Sequence, residues 1–283
     1  MRSKGNDVIH KVVNGERRWA IAEGDCLEVF TNLPDKFADV IVTDPPYGHK
    51  NADDGDLISR ARHALGQVKR EAAEHRRPIA NDGEEAGEIY RKALPEMFRV
   101  LRDPGCCCCC GGGGGPDPQF ARWSLWMDEV FQFKQMVVWD KGPIGMGWHY
   151  RRSYEVILVG EKPGGATAWY DTTRQVENII RPGQYGISKI IPSANEHGCA
   201  KPWELARHFI QLHTKPGDVV FDPFCGHGWV GEAALRTGRR FVGIEIDPYW
   251  AGRARERLAS VESQADLFAP VESRPKVVDE VML

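Results

Sequence analysis

The sequence of 283 residues contains no run of about 18 consecutive apolar residues, the length that a membrane-spanning helix requires. No apolar stretch of the kind found in secretory signals follows Met1 either. These two absences favour a protein of the cytoplasm without membrane attachment.

A strong excess of positive charge is absent as well. The formal net charge is -3 at pH 7, with 37 Lys and Arg residues against 40 Asp and Glu residues. Any surface that binds nucleic acid must therefore be a local patch of basic side chains and not a field around the whole molecule.

The cysteines lack the spacing of a disulfide framework. Five of the eight are contiguous, from Cys106 to Cys110, which fits a reducing compartment. Adjacent residues of a strand point to opposite faces, so the run is poorly arranged to chelate one metal ion. We predict that it forms a buried strand of small apolar side chains, and we predict no metal site.

The apolar residues that are present follow strand and helix patterns in turn. Residues 38–43 form a near-continuous apolar run that ends at Asp44, as is typical of a strand buried on both faces. The alternation of strands and helices predicts an α/β fold with a parallel sheet. Asn14-Gly15, between residues 8–13 and 18–22, predicts a hairpin of two strands. Further strands are predicted at 106–110, 133–139, 154–159, 218–222 and 240–245, and helices at 27–33, 84–101, 120–130 and 202–213.

We predict a single α/β domain over residues 1–263, interrupted by two insertions. Residues 48–85 are polar, charged and short of periodic apolar residues, which predicts a mobile insertion. Residues 164–196 also lose the strand pattern and carry glycine, proline, arginine and aromatic residues. Residues 264–283, with their prolines and acids, are predicted to form a loosely held tail.

A strand, a tight glycine turn and a helix follow one another in residues 219–231. In α/β sheets this is where nucleotide-like ligands bind, since glycine lets the backbone approach the ligand closely. Glu245 ends the next strand, about twenty residues beyond Asp222, where a carboxylate can accept hydrogen bonds from both ribose hydroxyls. A nicotinamide-binding domain would offer the same features, so this site alone leaves the ligand open.

The tetrapeptide Asp44-Pro45-Pro46-Tyr47 follows another buried strand and suits the activation of an exocyclic amine. Such an amine on adenine or cytosine is a poor nucleophile, because its lone pair is delocalised into the ring. The carboxylate of Asp44 and the carbonyl of Pro45 can each accept one amine hydrogen, which draws the lone pair out of conjugation. The two prolines make this geometry rigid, and Tyr47 can stack on a base taken out of the duplex.

With these two sites in this order, the chain resembles the amino-methylating DNA methyltransferases of the permuted, beta arrangement over most of residues 18–260. The resemblance implies S-adenosylmethionine as the cofactor. It also implies that Asp25 contacts the cofactor adenine and that Lys201, after His197, lies beside its methionine part. The cofactor-binding residues implied are Asp25, Lys201, Asp222, Phe224, Gly226, Gly228 and Glu245, and the catalytic residues are Asp44, Pro45, Pro46 and Tyr47.

The fold of that family implies a Rossmann-like, seven-stranded, mostly parallel sheet with one antiparallel strand and a circularly permuted motif order. Both sites would then lie side by side at the carboxyl ends of adjacent central strands. The chain departs from the family at His227 and Trp229, where Ser and Thr are usual, so the hydroxyl contacts to the cofactor must be replaced.

The resemblance implies methyl transfer to N6 of a flipped-out adenine, because the family's adenine members mostly carry Asp at the first motif position. Cytosine N4 is the first alternative. The others are a degenerate methylase that only binds cofactor or DNA, and methylation of another planar amide such as a protein glutamine. A cytosine C5 enzyme would use a nucleophilic cysteine, usually in a Pro-Cys dipeptide, which this sequence lacks.

Double-stranded DNA is the expected partner. Residues 164–196 are the expected target-recognition insertion, with Arg174, Arg181 and Lys189 in contact with DNA, since cations and aromatics suit phosphate and base contacts. A homodimer and a cognate restriction endonuclease are further partners that the resemblance suggests.

Overall fold

A computed structural model describes residues 4–48, 79–112, 119–142, 149, 151, 153–187 and 201–268 of the chain. The strands are β1 (Trp19–Glu23), β2 (Ala38–Thr43), β3 (Leu101–Gly112), β4 (Gln132–Asp140), β5 (Tyr154–Lys162), β6 (Ile179–Ile180), β7 (Val219–Asp222) and β8 (Arg240–Glu245). The helices are α1 (Lys4–Val13), α2 (Cys26–Phe30), α3 (Ala86–Val100), α4 (Gln119–Val130), α5 (Trp203–His213), α6 (Trp229–Arg236) and α7 (Pro248–Phe268), with a 3-10 turn at Gln184–Gly186. None of these helices combines the length and the apolar character needed to cross a membrane.

The strands form one sheet in the order β1-β8-β7-β2-β3-β5-β4-β6. Only β5 runs against its neighbours among the described strands, since it is antiparallel to both β3 and β4. This confirms the α/β fold with a mostly parallel sheet and one antiparallel strand. The sheet has eight described strands and not the seven expected, because Ile179 and Ile180 add a short edge strand beside β4. Two residues are too few to produce a periodic signal in the sequence.

Helices cover both faces of the sheet, which explains why the sequence of β2 is almost continuously apolar. Ile41 packs into the core on the side of α1 to α4. Val40 and Val42 pack into the core on the side of α5, α6 and α7. Both faces of the strand are buried, so neither can carry the polar residues of a half-exposed strand.

The predicted amino-terminal hairpin is wrong, because residues 8–13 belong to α1. Ile9 and Val12 are buried in the core, and a separation of three residues places both on one face of a helix, whereas in a strand they would point to opposite faces. Gly15 has a φ of 83° and its N–H donates to the carbonyl of Val12, so Asn14-Gly15 ends the helix instead of turning a hairpin.

The predicted insertion and tail are only partly within the described structure. Residues 49–78 of the insertion and residues 269–283 of the tail lie outside the described residues. Helix α7 continues to Phe268, so the first residues of the predicted tail are helical. The single-domain boundary at residue 263 stays a prediction.

We predict that Gly231→Ala lowers the free energy of unfolding by about 1–3 kcal/mol, the usual cost of overpacking a core. A Cβ atom at Gly231 in α6 would lie 2.7 Å from Cε1 of Phe241 and 2.9 Å from Cδ2 of Leu258. Gly252→Ala in α7 is the matched control, because its Cβ atom would meet nothing within 4 Å. Urea denaturation measures both, and equal midpoints for the two variants would contradict the packing argument.

Candidate active site

Two adjacent parallel strands, β2 and β7, bring the two sequence motifs to one edge of the sheet. Val40 pairs with Val220 in their register, so the loops that follow both strands start side by side. The hydroxyl of Thr43 donates to Oδ1 of Asp222 at 2.6 Å and ties the strand ends together. The expected placement of both motifs at the carboxyl ends of adjacent strands is confirmed.

Asp44 lies at the end of β2, largely buried, and both of its carboxylate oxygens have partners. Oδ2 accepts from Nζ of Lys201, and Oδ1 accepts from the hydroxyl of Tyr47. Nζ of Lys201 is also 3.2 Å from the Tyr47 hydroxyl and 3.5 Å from Oε2 of Glu155. Nζ of Lys141 donates to Oε1 of Glu155 at 2.6 Å. These side chains form one buried network of two acids and two bases.

The charges of this network control one another's protonation. Burial raises the pKa of Asp44, and the Lys201 ammonium opposes that rise. Burial works against the Lys201 cation, but the carboxylates of Asp44 and Glu155 outweigh it and raise the Lys201 pKa. Burial likewise opposes ionisation of Glu155, yet Lys201 and Lys141 lower its pKa to about 2. Lys201 is therefore a cation and Glu155 an anion at neutral pH.

Further contacts hold the loop that carries Tyr47. Oδ1 of Asp82 accepts from the backbone N–H groups of Tyr47 and Gly48 at 2.9 and 2.8 Å. Nε2 of Gln119 donates to the Tyr47 carbonyl at 2.8 Å. The Tyr47 ring lies 5.8 Å from the ring of Trp123, measured between centroids. The sequence analysis did not identify Asp82, because it is a single acid in a polar segment and belongs to no recognisable motif.

One cavity opens along this edge of the sheet. It is bordered by the loops after β1, β2, β7 and β8, and by the start of α7. Residues from each of the two predicted sites line it, so the tetrapeptide that begins at Asp44 and the glycine turn border the same cavity. The predicted site residues in its wall are Asp25, Asp44, Pro45, Pro46, Tyr47, Phe224, Gly226 and Glu245. His227, Trp229, Asp82 and Trp250 also line it.

Glu245 organises the glycine turn. Its Oε2 accepts from the N–H of Gly226 at 2.8 Å, and its Oε1 accepts from the N–H of Asp247 at 2.9 Å. Gly226 has a φ of 50° and Gly228, which precedes α6, has a φ of 84°, a region that favours glycine. Gly226 lines the cavity, whereas Gly228, which was also predicted to bind the cofactor, is not in its wall.

Two other predicted cofactor residues have structural contacts. Oδ1 of Asp25 accepts from the N–H of Leu27 at 2.8 Å and caps α2, while the residue still borders the cavity. Asp222 is fully buried, receives the N–H of Phe224 at 3.0 Å, and is not in the cavity wall. Burial raises the pKa of Asp222 to about 7.

Lys201 is not in the cavity wall, and its partners are Asp44, Tyr47 and Glu155. Its placement beside the methionine part of the cofactor stays a prediction. Glu155 belongs to a strand that the sequence predicted, but its contact with Lys201 joins residues far apart in the chain and could not be read from either segment.

Some of the residues predicted to contact DNA lie within the described structure. Arg174 and Arg181 are exposed in the segment between β5 and α5, and Arg181 pairs with Glu177. Lys189 and His197 lie outside the described residues. The exposed guanidinium groups are accessible to a phosphate backbone.

Comparison with known proteins identifies a family and individual proteins to which this chain is similar. The family model of the N6/N4 DNA methylases matches residues 38–255. YubD of Escherichia coli K12, named as a methylase, is 26% identical over 242 residues, which cover 85% of this chain and 90% of that protein. The type II methyltransferase M.Cfr9I of Citrobacter freundii is 27% identical over 261 residues, which cover 83% and 86%.

The fold is also that of a solved relative. The DNA modification methylase TTHA0409 of Thermus thermophilus, in complex with S-adenosyl-L-methionine, superposes with a TM-score of 0.60 at 23% identity. The match covers 87% of this chain and 96% of that one. Because the family match spans the residues of both motifs and most of the chain, this protein belongs to the N6/N4 DNA methylase family.

Proposed function

We propose that this protein transfers the methyl group of S-adenosylmethionine to N6 of an adenine flipped out of double-stranded DNA. One observation carries the proposal: Asp44-Pro45-Pro46-Tyr47 and the Gly226–Glu245 pair line the same cavity. Membership of the methylase family supports a DNA substrate. The S-adenosyl-L-methionine complex of TTHA0409 supports the cofactor.

The residues of the cavity suit this cofactor. Glu245 ends β8, where its carboxylate can accept from ribose hydroxyls, and Asp25 follows the neighbouring strand β1 and lines the same cavity. Phe224 and Trp250 offer apolar surface for a purine. When bound, the cofactor supplies a methyl group on a positively charged sulfur.

Asp44 polarises the target amine. Its carboxylate and the Pro45 carbonyl accept the two amine hydrogens, so the nitrogen lone pair can attack the methyl carbon while the carbon–sulfur bond breaks. The nitrogen then loses one proton, and no covalent enzyme intermediate forms. Lys201 favours this role because its positive charge opposes the rise in the Asp44 pKa that burial causes.

Tyr47 and Lys201 share the carboxylate that the target amine would use. The Tyr47 hydroxyl donates to Oδ1 of Asp44, and Lys201 donates to Oδ2. Each carboxylate oxygen can accept a second hydrogen bond. We infer that the incoming base joins or displaces the Tyr47 hydroxyl at Oδ1 and stacks on the Tyr47 ring.

Adenine is preferred over cytosine because this chain carries Asp at the first motif position. The family includes enzymes for both amines, so methylation of cytosine N4 is the alternative. Labelled cofactor incubated with mixed DNA, followed by digestion and mass identification of the modified nucleoside, distinguishes the two. Cofactor and DNA binding without any labelled nucleoside would instead identify a degenerate binding protein. A homodimer and a restriction endonuclease partner stay predictions.

Asp44→Asn is expected to reduce methyl transfer by at least about a hundredfold, because the variant loses the charged acceptor for the amine. Cofactor binding is expected to change little, since Asp44 acts on the base. Radiolabel transfer to DNA and calorimetric cofactor binding measure the two effects. Asp35→Asn, at an exposed position, is the control. Retained transfer in the Asp44 variant would rule out the proposed mechanism.

Lys201→Met is expected to move the acidic limb of the pH–rate profile to higher pH. Burial already raises the pKa of Asp44, and Lys201 is the main influence that lowers it. Without the cation the carboxylate takes up its proton at a higher pH, so activity disappears earlier as the pH falls. Single-turnover rates across pH measure this shift. Lys92→Met, on the exposed side of α3, should leave the profile in place, and an unshifted Lys201 profile would contradict the assignment.

Glu245→Gln is expected to weaken cofactor binding by about ten- to a hundredfold, the usual cost of losing charged hydrogen bonds. The amide can accept at only one atom, whereas both oxygens of Glu245 now accept from backbone N–H groups. Calorimetric titration with the cofactor measures the loss. The exposed Glu256→Gln variant serves as the comparison, and equal affinities for both variants would exclude Glu245 from the cofactor site.

A further inference from the structure

The cysteine run in β3 presents alternate side chains to opposite faces of the sheet. Cys106 and Cys108 pack into the core on the side of α5, and Cys107 and Cys109 into the core on the other side. The last residue of α5, His213, reaches the first pair. Within the described part of the chain, Cys106, Cys108 and His213 are the one group of three such side chains arranged to hold a metal ion.

We propose that Cys106, Cys108 and His213 bind a thiophilic metal ion of the zinc class. The ligand atoms of all three residues lie within 4.8 Å of one another. The two sulfur atoms are 3.6 Å apart. A tetrahedral zinc ion with zinc–sulfur bonds of about 2.3 Å holds two sulfurs about 3.8 Å apart, so the ion fits with little adjustment.

The imidazole of His213 is oriented as a metal ligand requires. Its Nδ1 lies 2.9 Å from the carbonyl of Ala168, to which it donates as an N–H group. That hydrogen bond leaves Nε2 as the free lone pair, directed at Cys106. A backbone carbonyl on the second ring nitrogen is the usual support of a metal-bound histidine. Trp169 packs against the ring, with centroids 5.4 Å apart, and restricts its rotation.

Charge balance favours a divalent cation at this place. Cys106, Cys108 and His213 are all buried, so an uncompensated charge there would be costly. Two thiolates and a neutral imidazole neutralise a divalent ion. Glu161, opposite Cys106 in the β3–β5 pair, has Lys134 as its own counterion at 3.0 Å.

The opposite face of the same strand provides a matched contrast. Cys107 and Cys109 also have their sulfur atoms close, at 3.3 Å, but their neighbour there is the phenol of Tyr90. Zinc sites in proteins use Cys, His, Asp and Glu side chains, and among the described residues none of these completes a group of three with the second pair. The sequence argument against a metal site considered only adjacent residues, and it missed the alternate pair because His213 is more than a hundred residues away.

A bound ion would tie β3 to the end of α5. The start of α5 follows Lys201, so the link would reinforce the element that brings Lys201 to Asp44. All three ligands are enclosed by the core, which keeps the ion away from substrate. Three protein ligands leave the fourth position of a tetrahedral ion to a further ligand such as water.

The test uses the purified full-length chain, stripped of metal under reducing conditions and titrated with Co²⁺. We expect about one equivalent to bind with tetrahedral visible bands and a thiolate-to-cobalt charge-transfer band, and Zn²⁺ to displace it. Cys108→Ala should lose the charge-transfer band, whereas Cys107→Ala, equally buried on the same strand, should keep it with unchanged stoichiometry.

Circular dichroism establishes that each variant is folded. If Cys108→Ala does not fold, His213→Gln replaces it, because this variant leaves the strand unchanged and should also lose tetrahedral binding. Absence of stoichiometric binding to the unaltered chain would overturn the proposal. Equal loss of the band in the Cys107 and Cys108 variants would overturn it as well.

Discussion

Strands β2 and β7 lie side by side and parallel, and the contacts of the candidate active site depend on that pairing. Parallel neighbours end at the same edge of a sheet, so the loop that carries Asp44 and the loop that carries Gly226 share one cavity. The Thr43–Asp222 hydrogen bond joins the two strand ends below it. In the proposed reaction a base amine and a methyl donor meet in this cavity, because two segments almost 180 residues apart are neighbours in the sheet.

A second requirement is that Asp44 carry its charge in a buried place. An isolated carboxylate there would take up a proton, as the effect of burial on its pKa indicates. Lys201 opposes this, and Glu155 and Lys141 complete a network without net charge. Such networks cost desolvation energy, and removal of one member leaves another charge uncompensated. The arrangement therefore favours a defined protonation state at Asp44 over maximal stability of the core.

The elements near the amino terminus and the cysteine run illustrate which structural features sequence patterns predict and which they do not. The apolar run at residues 8–13 predicted a strand, but the three-residue separation of the buried Ile9 and Val12 is that of one helix face. The strand at Cys106–Cys110 was predicted correctly from the apolar character of cysteine. The proposed metal ligands within it were not, since the choice depends on which helix covers which face.

Local sequence was sufficient for the order of most strands and helices, the family, the position of the tetrapeptide that we propose activates the amine, and the glycine turn with Glu245. These features consist of neighbouring residues whose periodicity or chemistry is visible in short segments. The partners of Asp44, the anchoring of Tyr47 by Asp82, and the approach of His213 to Cys106 and Cys108 emerged only from the folded chain. Each joins segments distant in sequence, and their meeting depends on sheet order and helix packing, which no single segment encodes.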